Sequence, residues 1–549
     1  MKEIIASLLS KELKKSSEEI LRLIEVPPQS DLGDYAFPCF SLAKEQKKNP
    51  LEIAKNIALN IKSKELEKVE SKGPYVNFFI NKKILAEQAL KIDDKFGKSN
   101  LGKGKKIVVD MSSPNIAKPF GIGHLRSTII GNSLSRLSEF LGYKSIKINY
   151  LGDWGTQFGK LIVGYKKFGN PSKLKSDPIN HMLEIYVKAN AEEYEEEARK
   201  WFKKLEEGDK EALKFWKTFR DYSLKDFNKI YKILGVKFDV FSGESFYNNR
   251  MSRTIEELRS KKLLKESEGA LVVDLEKYGL GVCLIQKSDG ATLYATRDIT
   301  AAIDRYKTYG FERMIYEVGN EQKLHLSQFF KILELLGYSW AKDCVHVGHG
   351  MYLGEDGKRF RTRKGKTVFM SDILNETIEL AKKTIQEKNP KLKKKDEIAR
   401  KVAIAAIFYG DLKNHRNNDI LFDIDKFLDF EGDSGPYLQY SYARASSIMR
   451  KAKAKKEKVK IENVDEKEFT LIKKILQFPE VVNQAYNSLS PHIIANYSLE
   501  LCQIFNDFYH SCPVLGNEKQ AFRLKLVDSF RKVLKNSLSL LGIEAIEEM

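Results

Sequence analysis

Residues 112 to 128 read SSPNIAKPFGIGHLRST, and within them Gly121, Gly123 and His124 have the types and spacing of a turn that handles phosphate. A glycine-rich turn opening a helix aims backbone N–H groups and the positive helix end at its ligand, which favours an anion. The two glycines let a nucleotide approach the backbone, and a histidine in the first helical turn can hydrogen-bond phosphate oxygens while charge develops on phosphorus. Neither G-x-G-x-x-G nor G-x-x-x-x-G-K-[ST] occurs here, so the turn is neither a dinucleotide fingerprint nor a P-loop. A second candidate, GEDGKRFRTRKGKT at 354 to 367, crowds Lys358, Arg359, Arg361, Arg363, Lys364 and Lys366 around glycines. A third, DGATLYATRDITAA, sets Tyr294 and Asp298 four apart, on one face of a helix that starts after a strand.

These groups need a scaffold. Ile107, Val108 and Val109 precede the first turn with strand character, and Leu125, Ile129, Leu134, Leu137 and Leu141 follow it at helical spacing. From residue 106 to about 347 the runs IVVDM, SIKINYL, GALVVDL, GVCLIQK, RMIYEVG and DCVHVGH alternate with amphipathic segments, the pattern of a parallel sheet covered on both faces. Ligands of such sheets bind at the carboxyl ends of the strands. Residues from about 165 to 260 are highly charged and helical in pattern, as expected of an insertion between two halves of the sheet. The expected organisation is an α/β protein: a small N-terminal α+β domain over 1–100, a Rossmann-type parallel-sheet domain over 101–370, a helical region over 371–432 and an all-α domain over 433–549.

At 549 residues the chain exceeds what one hydrophobic core supports, and 94 Lys and Arg against 75 Asp and Glu leave a formal net charge of +19, which favours a polyanionic partner. Its five cysteines form no CxxC pair, so neither a disulfide frame nor a protein metal site is expected. The N-terminus, MKEIIASLLSKELKKSSEEI, carries acids unlike a signal peptide, and no stretch approaches the ~20 apolar residues of a membrane span. A cytoplasmic protein without membrane contact is expected.

The string SSPNIAKPFGIGHLRSTIIGN resembles the nucleotide loop of class I aminoacyl-tRNA synthetases, in the extended form of the arginyl-tRNA synthetases. The family's first motif histidine is Gly121 here, and the second is His124. The resemblance implies that 359 to 363 stands for the family's second motif and that Lys118, Arg361, Arg363 and Lys364 draw charge off the triphosphate of ATP, which enters with Mg²⁺. It likewise implies that Tyr294, Asp298 and Asp110 hold a guanidinium, for which carboxylates and hydroxyls in fork geometry are required. Asn115, Gln322, Ser113 and Pro114 would take the α-amino and carboxylate end of arginine, with His124 close by. His349, Gly350 and Met351, in HVGHGM, would pack adenine. NYLGDWGTQFGKL is also similar to the family, with Asp153 and Trp154 as structural residues.

In FEGDSGPYLQYSYARASSIMRK, aromatics interleave with cations at helical spacing, as single-stranded RNA loops require. This segment resembles the start of the family's anticodon-binding domain, which gives Tyr437, Gln439, Tyr440, Arg444 and Arg450 as contacts to tRNA(Arg), with Leu438 and Tyr442 in the core. GDYAFPCFSLAK and GPYVNFFIN resemble the family's added N-terminal domain. The resemblance implies an arginine–tRNA ligase, monomeric, whose adenylation step needs bound tRNA. The alternative is a non-catalytic tRNA-binding paralogue of the same fold, motivated by Gly121 and the degenerate basic loop. A synthetase for another amino acid is disfavoured by Asp110, Tyr294 and Asp298.

Overall fold

Five short runs, β1 (Lys106–Asp110), β2 (Lys144–Leu151), β3 (Val240–Gly243), β4 (Arg313–Gly319) and β5 (Cys344–His349), pair in parallel in the spatial order β5-β4-β1-β2-β3. They belong to a computed structural model, which describes every residue except 1, 289–293, 355, 358–368 and 453–458. β1 is central, and its Ile107, Val108 and Val109 are fully buried because helices cover both faces. The helix Ile122–Phe140 lies on β1, β2 and β4, where Gly131 makes room for Met111. The helices Tyr294–Tyr309 and Lys323–Leu336 share a core with Val108, Ile148, Met314 and Tyr316. The chain moves outward from β1 to β3 and then returns to the other side of β1 as β4. Strand order therefore reverses between β1 and β4, and the crevice beyond their carboxyl ends is where such sheets bind ligands.

Two expectations are corrected. GALVVDL and GVCLIQK are not strands of this sheet; Ala270–Asp274 and Val282–Gln286 join Leu264–Ser267 in a separate antiparallel sheet. Their connections are far too short for the crossover that parallel neighbours need. The helical insertion also ends earlier than about 260. Its helices run from Thr156–Phe168 to Lys210–Leu234, and β3 follows, four residues too few to carry a readable pattern.

The described chain divides into two compact units, 1–94 with 448–477 and 503–533, and 95–447 with 478–502 and 534–549. In the first, the antiparallel strands Tyr35–Pro38, Leu66–Lys72 and Tyr75–Ile80 pack with helices around Ile5, Leu9, Phe37 and Phe78. The second unit holds the parallel sheet, the insertion and the helices Met370–Lys388 and Lys395–Leu412. The long helical patterns near the C-terminus are the helices Gly435–Lys451, His492–Ser511 and Gln520–Leu540. No helix among the described residues is long and apolar enough to cross a membrane.

The loop leaving β1 is strained. Ser112, Ser113 and Ala117 have φ of 75°, 48° and 60°, a left-handed region that residues with a Cβ rarely adopt. Neighbouring elements hold it there. The Tyr231 hydroxyl lies 2.7 Å from Ser112 Oγ and accepts from Asn149 Nδ2 at 2.8 Å. Ser223 Oγ accepts the Ala117 N–H at 2.8 Å, and Phe227 and Tyr231 set their rings against Phe120. Ile116 N–H donates to Gly152 O at 3.1 Å, and Gly152 N–H to Pro114 O at 3.2 Å. The insertion therefore clamps the signature loop. Tyr231→Phe removes a buried hydroxyl from two partners and is expected to lower stability by about 1–3 kcal/mol. Thermal unfolding and turnover together check this, since a loosened loop lowers activity at temperatures where the protein remains folded.

Candidate active site

At the phosphate end, the helix after β1 starts at Ile122 with Gly121 as its N-cap. The Gly121 N–H donates to His124 Nδ1 at 3.2 Å, so the ring proton of the neutral imidazole sits on Nε2. Burial and then the nearby Lys118 charge push the His124 pKa down to about 4, which keeps the ring neutral at ordinary pH. His124 thus presents a fixed N–H donor. A Cβ on Gly123 would meet nothing within 4 Å, so this turn leaves open space in front of the helix end. Lys118 Nζ stands over the Tyr186 ring at 5.8 Å. Arg361, Arg363 and Lys364 lie outside the described residues.

At the far side of the crevice, the end of β5 is already well bonded. His349 is buried, its Nδ1 is 2.9 Å from Gly350 O, and burial pushes its pKa down to about 4. Gly350 N–H donates to Arg416 O at 2.9 Å and Met351 N–H to Asp419 Oδ1 at 2.7 Å. Those amides are spent within the protein. Beneath them, buried Glu317 of β4 has Oε1 4.0 Å from His349 Nε2, and burial raises its pKa well above the carboxylate range. Arg126, also buried, donates to Asn418 O at 2.7 Å and pairs through Nε with Asp411 Oδ2 at 3.3 Å, while Tyr352 OH bonds the same carboxylate.

Around the expected guanidinium pocket the carboxylates divide. Asp110 at the end of β1 is buried, paired with Arg305 Nη1 at 2.8 Å and bonded by Ser113 Oγ at 3.1 Å. Its charge is answered inside the protein, so the structure gives Asp110 a supporting place rather than a free contact. Burial raises its pKa despite Arg305. Asp298 is half-buried, with Oδ2 2.7 Å from His325 Nε2, and Tyr294 is exposed with its ring edge on His325. Glu244, which sequence reasoning missed, lies half-buried just past β3 within electrostatic reach of Asp298 and Arg297. Burial pushes its pKa up to about 7. Asn115 is exposed and lies where a Cβ on Gly152 would collide with its Oδ1; Pro114 is buried and Gln322 is exposed beyond β4. Asp153 is buried, accepting from Ser245 N–H and Oγ, each at 2.8 Å, with Arg220 Nε at 3.5 Å.

One expected RNA contact is corrected. Gln439 is fully buried, donating from Nε2 to Glu544 O at 2.7 Å, and has no surface to offer. The helix Gly435–Lys451 turns that residue inward with Leu438 and Tyr442, which are also buried. Tyr440 is exposed, with the Arg444 guanidinium 4.9 Å over its ring; Tyr437 is half-buried and Arg450 exposed.

A switch-point crevice with a phosphate-type helix end on one side and half-buried carboxylates beside it is the arrangement of a nucleotide-binding α/β protein. Comparison with known proteins agrees. The family model described as tRNA synthetases class I (R), catalytic domain, matches residues 86–424, the DALR anticodon binding domain matches 438–549, and the arginyl tRNA synthetase N terminal domain matches 1–80. An arginine–tRNA ligase of Bacillus anthracis is 48% identical over 100% of this chain and 99% of its own. One from Clostridium perfringens is 47% identical over 100% of both. Among solved structures, the Thermus thermophilus arginyl-tRNA synthetase matches with a TM-score of 0.86 and 25% identity over 100% of both chains. That of Plasmodium falciparum matches at 0.83 and 28%, covering 100% of this chain and 98% of the other. The chain belongs to the arginyl-tRNA synthetases, the class I family of arginine–tRNA ligases.

A carboxyl group with pKa about 7 is neutral below that pH and anionic above it, whereas a guanidinium stays charged throughout. Affinity for L-arginine is therefore expected to rise about tenfold from roughly pH 6 to roughly pH 8 as Glu244 ionises. Calorimetry of arginine binding across that range checks this, with Glu244→Gln expected to give a weaker and flat profile.

Proposed function

We propose that this chain charges tRNA(Arg) through the crevice between β1 and β4. The arginine carboxylate attacks the α-phosphate of ATP, which enters with Mg²⁺, to give arginyl-adenylate and pyrophosphate. The terminal ribose hydroxyl of the tRNA then takes the arginyl group and AMP leaves. No side chain becomes covalently attached, and catalysis is by positioning and electrostatics. His124 donates from Nε2 to phosphate oxygens at the helix end that Gly121 and Gly123 keep open. Lys118 supplies positive charge, joined by Arg361, Arg363 and Lys364.

At the other end of the substrate, Tyr294, Asp298 and Glu244 face the guanidinium, with Asp110 bracing the floor through Arg305. Ser113, Pro114, Asn115 and Gln322 take the α-amino and carboxylate groups. Adenine packs on the peptide faces of His349, Gly350 and Met351. The tRNA is met by Tyr437, Tyr440, Arg444 and Arg450. The enzyme works as a monomer in the cytoplasm.

The observation that supports this reading is a neutral imidazole held by the Gly121 amide after β1, together with two half-buried carboxylates, Asp298 and Glu244, within electrostatic reach of each other. The imidazole handles phosphate and the carboxylates a cation. ATP–pyrophosphate exchange, with each amino acid and with or without tRNA, is the test. Exchange is expected with arginine and only when tRNA is present. His124→Ala and Lys118→Ala are each expected to lower its rate about 10²–10³-fold. Exchange with another amino acid would overturn the specificity, and none under any condition would leave the non-catalytic tRNA-binding paralogue as the reading.

A further inference from the structure

We propose that His325 is a positioning residue of the guanidinium pocket, one that fixes the orientation of Asp298. The role rests on the reading that Tyr294 and Asp298 meet the substrate guanidinium. His325 lies in the first turn of the helix Lys323–Leu336, which begins directly after Gln322. Its Nε2 is 2.7 Å from Asp298 Oδ2, and its ring contacts Tyr294 at 4.6 Å between centroids and Phe329 at 5.7 Å. Only 12% of the His325 side chain is exposed. Tyr294 and Phe329 thus hold the ring, and the ring holds the carboxylate.

The physical need is specific. A guanidinium presents parallel N–H groups in a rigid fork, and a carboxylate matches that fork only in a fixed plane. Asp298 is on a helix face that is partly open, where an unsupported Asp would sample several rotamers. His325 occupies Oδ2 and leaves Oδ1 as the oxygen with no other hydrogen-bond partner among the described residues. Because Gln322 and His325 share one turn, the same segment ties the carboxylate end of the substrate to its guanidinium end. Asp298 and His325 come from helices on either side of β4 in the chain, so the pair also fixes the distance between those helices at the pocket.

The test compares His325→Leu, which keeps apolar packing and loses the donor, with His325→Gln, whose amide nitrogen reaches about as far as Nε2. Wild type and both variants are assayed in tRNA-dependent ATP–pyrophosphate exchange, with KM measured separately for arginine and for ATP. His325→Leu is expected to raise KM for arginine about tenfold or more, the range for a lost hydrogen bond to a charged group, with KM for ATP and the melting temperature little changed. His325→Gln is expected to restore most of the arginine KM. An unchanged arginine KM in His325→Leu overturns the role. So does a rise of both KM values with a fall in melting temperature, or a failure of Gln to restore what Leu removes. Absence of any arginine-dependent exchange in the wild type overturns the parent reading and this one with it, whereas a normal wild type beside an unaffected variant overturns only the positioning role.

Discussion

Ser112, Ser113 and Ala117 hold left-handed backbone although each carries a Cβ, and the arrangement of the site follows from the need to keep them there. Each such residue costs about 1–3 kcal/mol, and a free loop would relax into an ordinary turn. The helix after the loop contributes Ser127 Oγ, which accepts the Ser112 N–H at 2.9 Å, and Thr128 Oγ1, which donates to Ser112 Oγ at 2.8 Å. The insertion contributes Tyr231 and Ser223, and the end of β2 contributes Gly152. The insertion therefore does more than decorate the sheet. Its last helix forms part of the wall against which the nucleotide loop is shaped.

Charge is the second constraint. The chain carries a net +19, yet its candidate amino-acid pocket is acidic. The difference is made by internal pairing. Asp110 is answered by Arg305, Asp153 by Arg220 and Ser245, and Asp411 by Arg126. Burying these ions alone would be prohibitive, and pairing them removes their reach into the crevice. Among the described residues, Asp298 is bonded to His325 and Glu244 feels Arg297 only at a distance, its pKa of about 7 recording how poorly it is solvated. In the proposed pocket, selectivity for a cation would depend on which carboxylates lack a close basic partner, more than on how many there are.

The parts of this site that were legible in the sequence are those carried by local pattern. The strand, the glycine-rich turn and the helix around His124 declare themselves by spacing, and Tyr294 with Asp298 by a shared helix face. What was not legible depends on partners distant in the chain. Asp110 looks like a free acid at a strand end until Arg305, almost two hundred residues later, is placed against it. Gln439 stands among tyrosines and arginines in the sequence, but in the fold it is buried and bonds Glu544 of the C-terminal tail. Glu244 follows a four-residue strand that has no periodicity to read, directly after a highly charged insertion. The antiparallel strands Ala270–Asp274 and Val282–Gln286 are as apolar as the parallel ones, and only their short connections separate the two cases.

The glycine at 121 changes how the loop is expected to work. A second histidine would add a second donor, and with one imidazole the site must divide two tasks that the pair could share. Orientation falls to the backbone: the Gly121 N–H holds Nδ1 and thereby fixes the proton on Nε2. Charge cannot come from His124, because burial keeps it neutral with a pKa of about 4. Neutralising a departing pyrophosphate then requires groups that are cationic at every working pH, which is the chemistry of lysine and arginine. Lys118 sits close enough to His124 to depress its pKa further. Burial is the main cause of the histidine's neutrality and the Lys118 charge adds to it, and that same charge would attract the leaving phosphates.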